Sequence, residues 1–308
     1  MVSKSEILLE SGTNEIEIME FMIGDNAFGI NVAKVREIMM PSPVKVIPLS
    51  HPCVEGVFKP RDSVLTLINL PKYLKYDEST GLGKDLFIVT NFNKTHIAFR
   101  VHSVVGINRV SWSDIQKPDS TIYGGDEGIA TGIVEFNKHL ITILDFEKIV
   151  AEIAPETSID VAAVSAMNRT PDKTPLIVVE DSVLLSKLII ESLHKSGYTN
   201  IKKFDNGEEA WSFLHEMRDE PMEKIKEQVR LIITDIEMPK MDGHRLTNLV
   251  KSDMKLRQIP LVIFSSLIND EMYIKGKQLG ADEQLSKPDI IHLVDVIDHL
   301  LDYKKTVA

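Results

Sequence analysis

The second half of the chain contains three short, continuous apolar runs, and each run stops at an acid or a hydroxyl residue. Residues 176–179 precede Glu180 and Asp181, residues 231–234 precede Asp235, and residues 261–264 precede Ser265. A fourth, shorter stretch ends at Lys287. Apolar runs with helical stretches between them predict an α/β doubly wound parallel sheet that is covered on both faces. Because the carboxyl ends of parallel strands lie along one edge, these polar side chains are predicted to converge there.

The chemistry of this set favours a metal ion and a phosphoryl group. Carboxylates can hold Mg²⁺, which prefers oxygen ligands, and a metal-bound aspartate can accept a phosphoryl group. This transfer otherwise needs positioning and fixed positive charge, which Lys287 can supply. Taken singly, residues at strand ends are usually solvated or cap a helix, as Ser182 and Asp242 could. Four polar strand ends together favour the site.

The first 150 residues are predicted to be mainly β. Short alternating runs separated by polar turns indicate small barrels or a sandwich. After a hairpin that turns at residues 24–26, the predicted strands are residues 44–47, 54–58, 64–68, 86–90, 97–101, 104–110, 131–135 and 139–143. One short helix is predicted at residues 31–40, with Val32, Val35, Ile38 and Met39 on one face.

Charge and composition argue against several classes of protein. The formal net charge of −11 argues against a nucleic-acid partner, since binding phosphates needs clustered Lys and Arg. The single cysteine, Cys53, allows neither an intramolecular disulfide nor a multi-cysteine zinc site. The sequence contains no run of about 18 apolar residues and no signal-peptide core. We therefore expect a cytoplasmic protein that does not insert into a membrane.

The second half resembles the receiver domain of two-component response regulators. The resemblance rests on the strand-end residues together with residues 237–239, 242–243 and 287–288. It implies that Asp235 is the phosphoacceptor and that Lys287 and Ser265 contact the phosphoryl group. The implied Mg²⁺ ligands are Asp181 as the main partner, Glu180, Asp235 and the backbone carbonyl of Glu237. The resemblance also implies a cis peptide bond before Pro288.

Two residues depart from the usual receiver pattern. Glu180 stands where many receivers carry Asp, and its extra methylene is expected to shift the metal slightly. Gln284, three residues before Lys287, stands where that family usually carries an aromatic switch residue. A phosphorylation signal is therefore expected to travel mainly through the loop after Ser265 and the helix near residues 269–278.

The first half resembles a CheW-type coupling domain. The matching stretches are residues 35–38, 47–48, 54–57, 65–70, 132–133 and 140–145, together with Arg61. That family folds as two small β-barrels and links chemoreceptors to a histidine kinase. The family's glycine after the arginine is Asp62 here, and Pro60 replaces a usual leucine. Arg61 is predicted to contact a partner or order the interface, and a salt bridge within the domain is an equal alternative.

A coupling domain followed by a receiver is the arrangement of CheV-type chemotaxis proteins, which this chain resembles. The predicted division is a coupling domain at residues 10–152, a linker at 153–174 and a receiver at 175–305. The resemblance implies an adaptor rather than an enzyme. It would couple chemoreceptor cytoplasmic tails to a histidine kinase, and phosphorylation of Asp235 would modulate it, as adaptation or as a phosphate sink.

Two alternatives from other classes remain open. A transcriptional response regulator is disfavoured by the net acidity and by the lack of a helix-turn-helix segment after the receiver-like part. A Mg²⁺-dependent phosphatase that forms an aspartyl phosphate would usually carry a second Asp two positions after the nucleophile. That position is Glu237 here.

Overall fold

A computed structural model describes residues 14–61, 63–76, 85–92, 95–117, 128–154, 159, 170–268 and 270–307. The chain divides into two compact units, one spanning Glu15–Thr157 and one containing Ser158–Ala308. Most of the predicted linker lies outside the described residues.

The N-terminal unit contains two five-stranded sheets. Its strands are β1 (Glu15–Ile23), β2 (Asn26–Asn31), β3 (Val35–Met39), β4 (Val54–Phe58), β5 (Leu65–Asn69), β6 (Leu86–Phe92), β7 (Thr95–Val101), β8 (Ser103–Ser111), β9 (Ala130–Phe136) and β10 (His139–Leu144). The strand orders are β8-β1-β2-β10-β9 and β3-β6-β7-β5-β4. Two short helices, α1 (Leu70–Tyr73) and α2 (Phe146–Ile153), follow β5 and β10. The predicted β-rich first half is confirmed.

Each sheet carries buried residues on both faces, and alternating side chains of one strand belong to different apolar clusters. Ile18, Trp112 and Ile141 belong to the apolar cluster of the first sheet, and Leu67 and Phe87 belong to that of the second. A third cluster draws on strands of both sheets and on α2, and it includes Phe21, Phe99 and Phe146. The period of two along each strand thus decides which of the clusters each side chain joins.

Two predictions for this unit are wrong. Residues 31–40 do not form an α-helix: Val32–Lys34 is a single 3₁₀ turn, and the chain continues as β3, which pairs with β6. The spacing of Val32, Val35 and Ile38 fits a helix, but β-branched residues also suit a strand, and pairing with β6 decides between them. Residues 44–47 form no strand, since only Lys45 pairs there, in an isolated bridge with Val57.

The C-terminal unit is a five-stranded parallel sheet with helices on both faces, as the sequence predicts. The strands are β11 (Asp172–Val179), β12 (Tyr198–Phe204), β13 (Leu231–Thr234), β14 (Leu261–Ser265) and β15 (Glu283–Ser286). The helices are α3 (Val183–Lys195), α4 (Gly207–Met217), α5 (Met222–Gln228), α6 (Gly243–Ser252), α7 (Asp270–Gln278) and α8 (Ile290–Val307). The order β12-β11-β13-β14-β15 makes it doubly wound.

The strand order fixes where a ligand can bind. From β11 the chain moves outward to β12 on one side, and the later strands are added on the other side, beginning with β13. The carboxyl ends of β11 and β13 therefore border the crevice at which the strand order reverses, the usual ligand site of such sheets. All four residues of β13 are buried, and the apolar residues of β11, β13 and β14 hold this edge against the core.

Candidate functional site

Two of the polar residues that follow β11 and β13 cap helices. Ser182 caps α3 by accepting a hydrogen bond from the backbone N–H of Leu185 at 3.5 Å. Asp242 caps α6 by accepting one from the N–H of Arg245 at 2.7 Å. The predicted capping roles of these two residues are therefore confirmed.

Glu180, Asp181 and Asp235 form a carboxylate cluster at this edge. One oxygen from each lies within 4.8 Å of the other two. Glu180 and Asp235 are buried, whereas Asp181 is partly exposed and leaves the cluster open to solvent. Three convergent carboxylates are the donor set that suits Mg²⁺, which keeps some of its water ligands, so the residues present fit that ion.

Lys287 lies between two of these carboxylates. Its Nζ is 2.8 Å from Glu180 Oε2 and 2.9 Å from Asp235 Oδ2, and the residue is only 1% exposed. The end of β15 positions it, since the backbone N–H of Lys287 donates to the carbonyl of Ser265 at 3.1 Å. The Lys287–Pro288 peptide bond is cis, as the resemblance implies. The structure thus brings together four of the predicted site residues.

Three carboxylates and one ammonium lie close together in this cluster, and they change the pKa of Glu180. Burial raises the pKa of Glu180 well above its usual range, Lys287 opposes that shift, and the charges of Asp235 and Asp181 add to it. A divalent cation would relieve the same repulsion. The cluster therefore favours any ligand that brings positive charge.

The backbone around Asp235 holds its side chain in place. The N–H of Ile236 donates to Asp235 Oδ1 at 2.6 Å, while Oδ2 accepts from Lys287. The Thr234 hydroxyl donates to the Asp235 carbonyl at 2.9 Å. Neither Thr234 nor Ile236 can be recognised as a supporting residue from the sequence, because an apolar run and its flanking residues give no signal for such a role.

Gly243 is a second supporting residue, and it follows from close packing. A Cβ at this position would collide with the carbonyl oxygen of Asp235, and the Gly243 N–H donates to the carbonyl of Ile236 at 2.9 Å. The first turn of α6 therefore lies directly against the backbone of Asp235. Asp242 followed by Gly243 belongs to the receiver-like residue pattern, but the sequence does not say what the glycine avoids.

Replacing Gly243 by alanine is expected to lower the free energy of unfolding of the C-terminal unit by about 1–3 kcal/mol, because either α6 or the Asp235 backbone must move. The same movement should weaken Mg²⁺ binding. Hydrogen exchange in denaturant, resolved by peptide, measures the stability of each unit. Gly106→Ala is the control, since a Cβ there meets no atom within 4 Å and should change stability by less than about 0.5 kcal/mol. Unchanged exchange in the β13 and α6 peptides of Gly243→Ala would contradict the prediction.

The remaining predicted residues are placed less directly. Ser265 ends β14 and is fully buried, and its Oγ accepts from the N–H of Leu267 at 3.3 Å. Glu237 follows Asp235 by two residues and is half-buried. Arg61 lies in the N-terminal unit, 71% exposed at its side chain, and pairs with Glu37 at 3.1 Å. Asp62 lies outside the described residues.

Two family matches cover most of the chain. Residues 17–154 match the family described as CheW-like domain, and residues 176–298 match the family described as response regulator receiver domain. Among the helices of the described part, none is both long and apolar enough to cross a membrane.

Curated relatives match the whole chain and each half. Chemotaxis protein CheV3 of Helicobacter pylori is 27% identical over 301 residues, which cover 94% of this chain and 96% of that protein. Chemotaxis protein CheW of Treponema pallidum is 26% identical over 139 residues, which cover 44% of this chain and 82% of that protein. Among solved structures, the scaffolding protein TtCheW from Thermoanaerobacter tengcongensis is 17% identical, covers 42% of this chain and 84% of its own, and has a TM-score of 0.38.

Proposed function

Because the chain is a CheV-type chemotaxis protein, in which a CheW-like domain is followed by a receiver domain, we propose that phosphorylation of Asp235 regulates its coupling activity. The protein is a chemotaxis coupling adaptor built from two signalling modules. The proposed phosphoryl donor is a histidine kinase, and the proposed partners of the coupling domain are that kinase and the cytoplasmic tails of chemoreceptors. The proposed location is the cytoplasm.

One observation carries the proposal for Asp235. Its carboxylate lies in a cluster with Glu180 and Asp181, and the ammonium of Lys287 is 2.9 Å from its Oδ2. The acceptor oxygen therefore lies beside both a cation-binding set and a fixed positive charge. These are the two requirements of phosphoryl transfer to a carboxylate, which otherwise depends on positioning.

The proposed step is the formation of an acyl phosphate. A carboxylate oxygen of Asp235 bonds to phosphorus, the N–P bond of the donor phosphohistidine breaks, and the released imidazole takes a proton from solvent. Mg²⁺, when bound by Glu180, Asp181 and Asp235, would neutralise charge on the transferring oxygens. Lys287 would turn from Glu180 towards the new phosphoryl group, and the Ser265 hydroxyl would donate to it.

The added charge gives the site a way to act on the rest of the receiver. Before transfer, Lys287 is shared between Glu180 and Asp235 at nearly equal distances. A phosphoryl group brings further negative charge and three acceptor oxygens, so the ion pair with Glu180 has a strong competitor. The backbone link from Lys287 to Ser265 connects this competition to the end of β14.

Arg61 is proposed as a partner contact in the coupling domain. Its guanidinium is largely exposed, and the ion pair with the half-buried Glu37 orients it at the surface. A salt bridge within the domain and a contact with a partner are thus compatible, because an exposed pair contributes little stability and can exchange partners.

Co-sedimentation with receptor-containing membranes and the histidine kinase tests the proposal. The full chain should sediment with both, and adding Mg²⁺ with beryllium fluoride, a phosphoryl mimic, should change the bound fraction. Asp235→Asn should sediment equally with or without the mimic, and Arg61→Gln should bind less. A full chain that stays in the supernatant would contradict the adaptor role, and binding unaffected by the mimic would contradict regulation through Asp235.

A further inference from the structure

A second buried polar cluster lies away from the carboxylates, between β15 and α7. Gln284 of β15 is only 8% exposed, and its Nε2 donates to the backbone carbonyl of Tyr273 in α7 at 2.7 Å. Its Oε1 is buried and has no hydrogen-bond partner among the residues that the structure describes. A buried amide that is half satisfied is unusual, since nearly all buried polar atoms are paired.

Gly276 makes room for this amide. A Cβ at position 276 would collide with the Gln284 Oε1 and would lie 3.0 Å from Ile263 Cδ1. The glutamine head therefore occupies the space that a side chain of α7 would fill. Without Gly276, the helix could not approach β15 closely enough for the Tyr273 carbonyl to accept the hydrogen bond.

A buried ring lies near the same part of α7. His244, at the start of α6, is 4% exposed. Burial lowers the pKa of His244 to about 3, and Lys275 of α7 adds to the shift, so the ring is neutral at pH 7. The outer side of α7 is exposed at Tyr273 and Ile274, so the attachment of the helix to β15 depends on its inner side, where Gln284 donates to the Tyr273 carbonyl.

The glutamine also lies on the face of the sheet that leads to the carboxylate site. Gln284 pairs in register with Ile263, and Ser286 pairs with Ser265. Because side chains alternate along a strand, Gln284 and Ser265 lie on the same face of the sheet, offset by two residues along the strand direction. Val262, Phe264 and Leu285 face the opposite side, in the main core.

We propose that Gln284 is a positioning residue whose amide, seated over Gly276, fixes α7 against β15 and determines how far α7 responds to a change at Asp235. The hydrogen bond to Tyr273 is the attachment, and the unpaired Oε1 marks the place at which the attachment can be exchanged for another partner. The first part of this inference stands alone. The second part, the response to Asp235, rests on the proposed function.

Hydrogen exchange of the full chain, without any ligand, tests the attachment. Gln284→Leu keeps the volume and removes the donor, so the amides of α7 should exchange about three- to tenfold faster. Gln278→Leu, an exposed change in the same helix, should leave them unchanged. Unchanged exchange of α7 in Gln284→Leu would overturn the inference.

A double-mutant cycle separates a specific contact from a general loss of packing. Gly276→Ala should displace the amide and loosen α7, as Gln284→Ala does. The double variant should be no looser than Gln284→Ala alone, because the amide with which the methyl group collides is then absent. Additive effects would show that the two residues act separately and would contradict the proposed seating of the Gln284 amide over Gly276.

Adding Mg²⁺ with beryllium fluoride then tests the response. In the wild type the exchange of α7 should change on addition, and in Gln284→Leu that change should differ at least about twofold, while phosphoryl labelling stays within about twofold of the wild type. An identical response in the variant would overturn the coupling role of Gln284. If wild-type α7 does not respond while the ligand-free differences are present, the coupling of α7 to Asp235 fails and the attachment stands. Loss of labelling and of the mimic-dependent sedimentation would instead contradict the proposed function.

Discussion

Replacing Asp235 by asparagine is expected to reduce phosphoryl labelling of the full chain to background, a loss of at least about 100-fold. An amide oxygen is uncharged and a far weaker nucleophile than a carboxylate oxygen. The substitution keeps the shape of the side chain and the hydrogen bond from the N–H of Ile236 to Oδ1. A histidine kinase that carries a labelled phosphoryl group is the donor, and labelled protein is counted against time.

Asp205→Asn is the matched control for this experiment. Asp205 follows the neighbouring strand β12, just as Asp235 follows β13, but its side chain is 52% exposed and pairs with Lys203 at 2.8 Å. It should label like the wild type. Labelling of Asp235→Asn at an undiminished rate would remove Asp235 as the acceptor, and loss of labelling in both variants would point to a general effect of lost negative charge.

Replacing Lys287 by methionine is expected to lower the free energy of unfolding of the C-terminal unit by about 3–5 kcal/mol without Mg²⁺. The Nζ of Lys287 lies within 3 Å of a carboxylate oxygen of Glu180 and of Asp235. The variant removes this ammonium and leaves both carboxylates buried. Hydrogen exchange in denaturant, read in peptides of β13 and β14, gives the loss for this unit. Mg²⁺ should restore part of it, since the ion binds the folded cluster and supplies positive charge.

Lys224→Met is the control for the loss of a lysine ion pair. Lys224 pairs with Glu220 at 3.1 Å, and both side chains are at least half exposed. Such a pair contributes less than about 1 kcal/mol, so its removal should hardly change stability. If Lys287→Met were as stable as Lys224→Met, the buried ion pairs would not hold the site together.

The loss in Lys287→Met should grow as the pH rises. Burial raises the pKa of Glu180 well above its usual range, so the folded protein binds a proton there that the unfolded chain releases. Stability from this group is therefore greatest below about pH 4.3 and decreases as the pH rises towards the raised pKa. Lys287 opposes that rise in pKa. Removing it therefore raises the folded-state pKa of Glu180 further and widens the pH range over which stability is lost. A smaller loss at pH 8 than at pH 5 would contradict this assignment.

Several features could be predicted from local sequence because they follow from short-range rules. The apolar runs of β11, β13 and β14 are long enough to identify buried strands, and the polar residue after each run then lies at a known edge. Ser182 and Asp242 follow the pattern of helix caps, and both cap a helix. The helix predicted at residues 31–40 is wrong for the opposite reason. The spacing of the apolar residues there fits both a helix and a strand, and pairing with a distant strand decides between them.

The sequence by itself determined two domain types, the parallel sheet of the second half and the edge at which Glu180, Asp181, Asp235 and Lys287 would meet. These follow from hydrophobic period and from a residue pattern that resembles known families. The tertiary structure alone decided that Lys287 is shared with Glu180, that Gly243 lies against the Asp235 carbonyl and that Gln284 holds α7 over Gly276. The reason is physical: a buried strand can be recognised from its own apolar run and the helical stretches beside it, whereas the partner of a buried side chain depends on which distant backbone packs within a few ångströms of it.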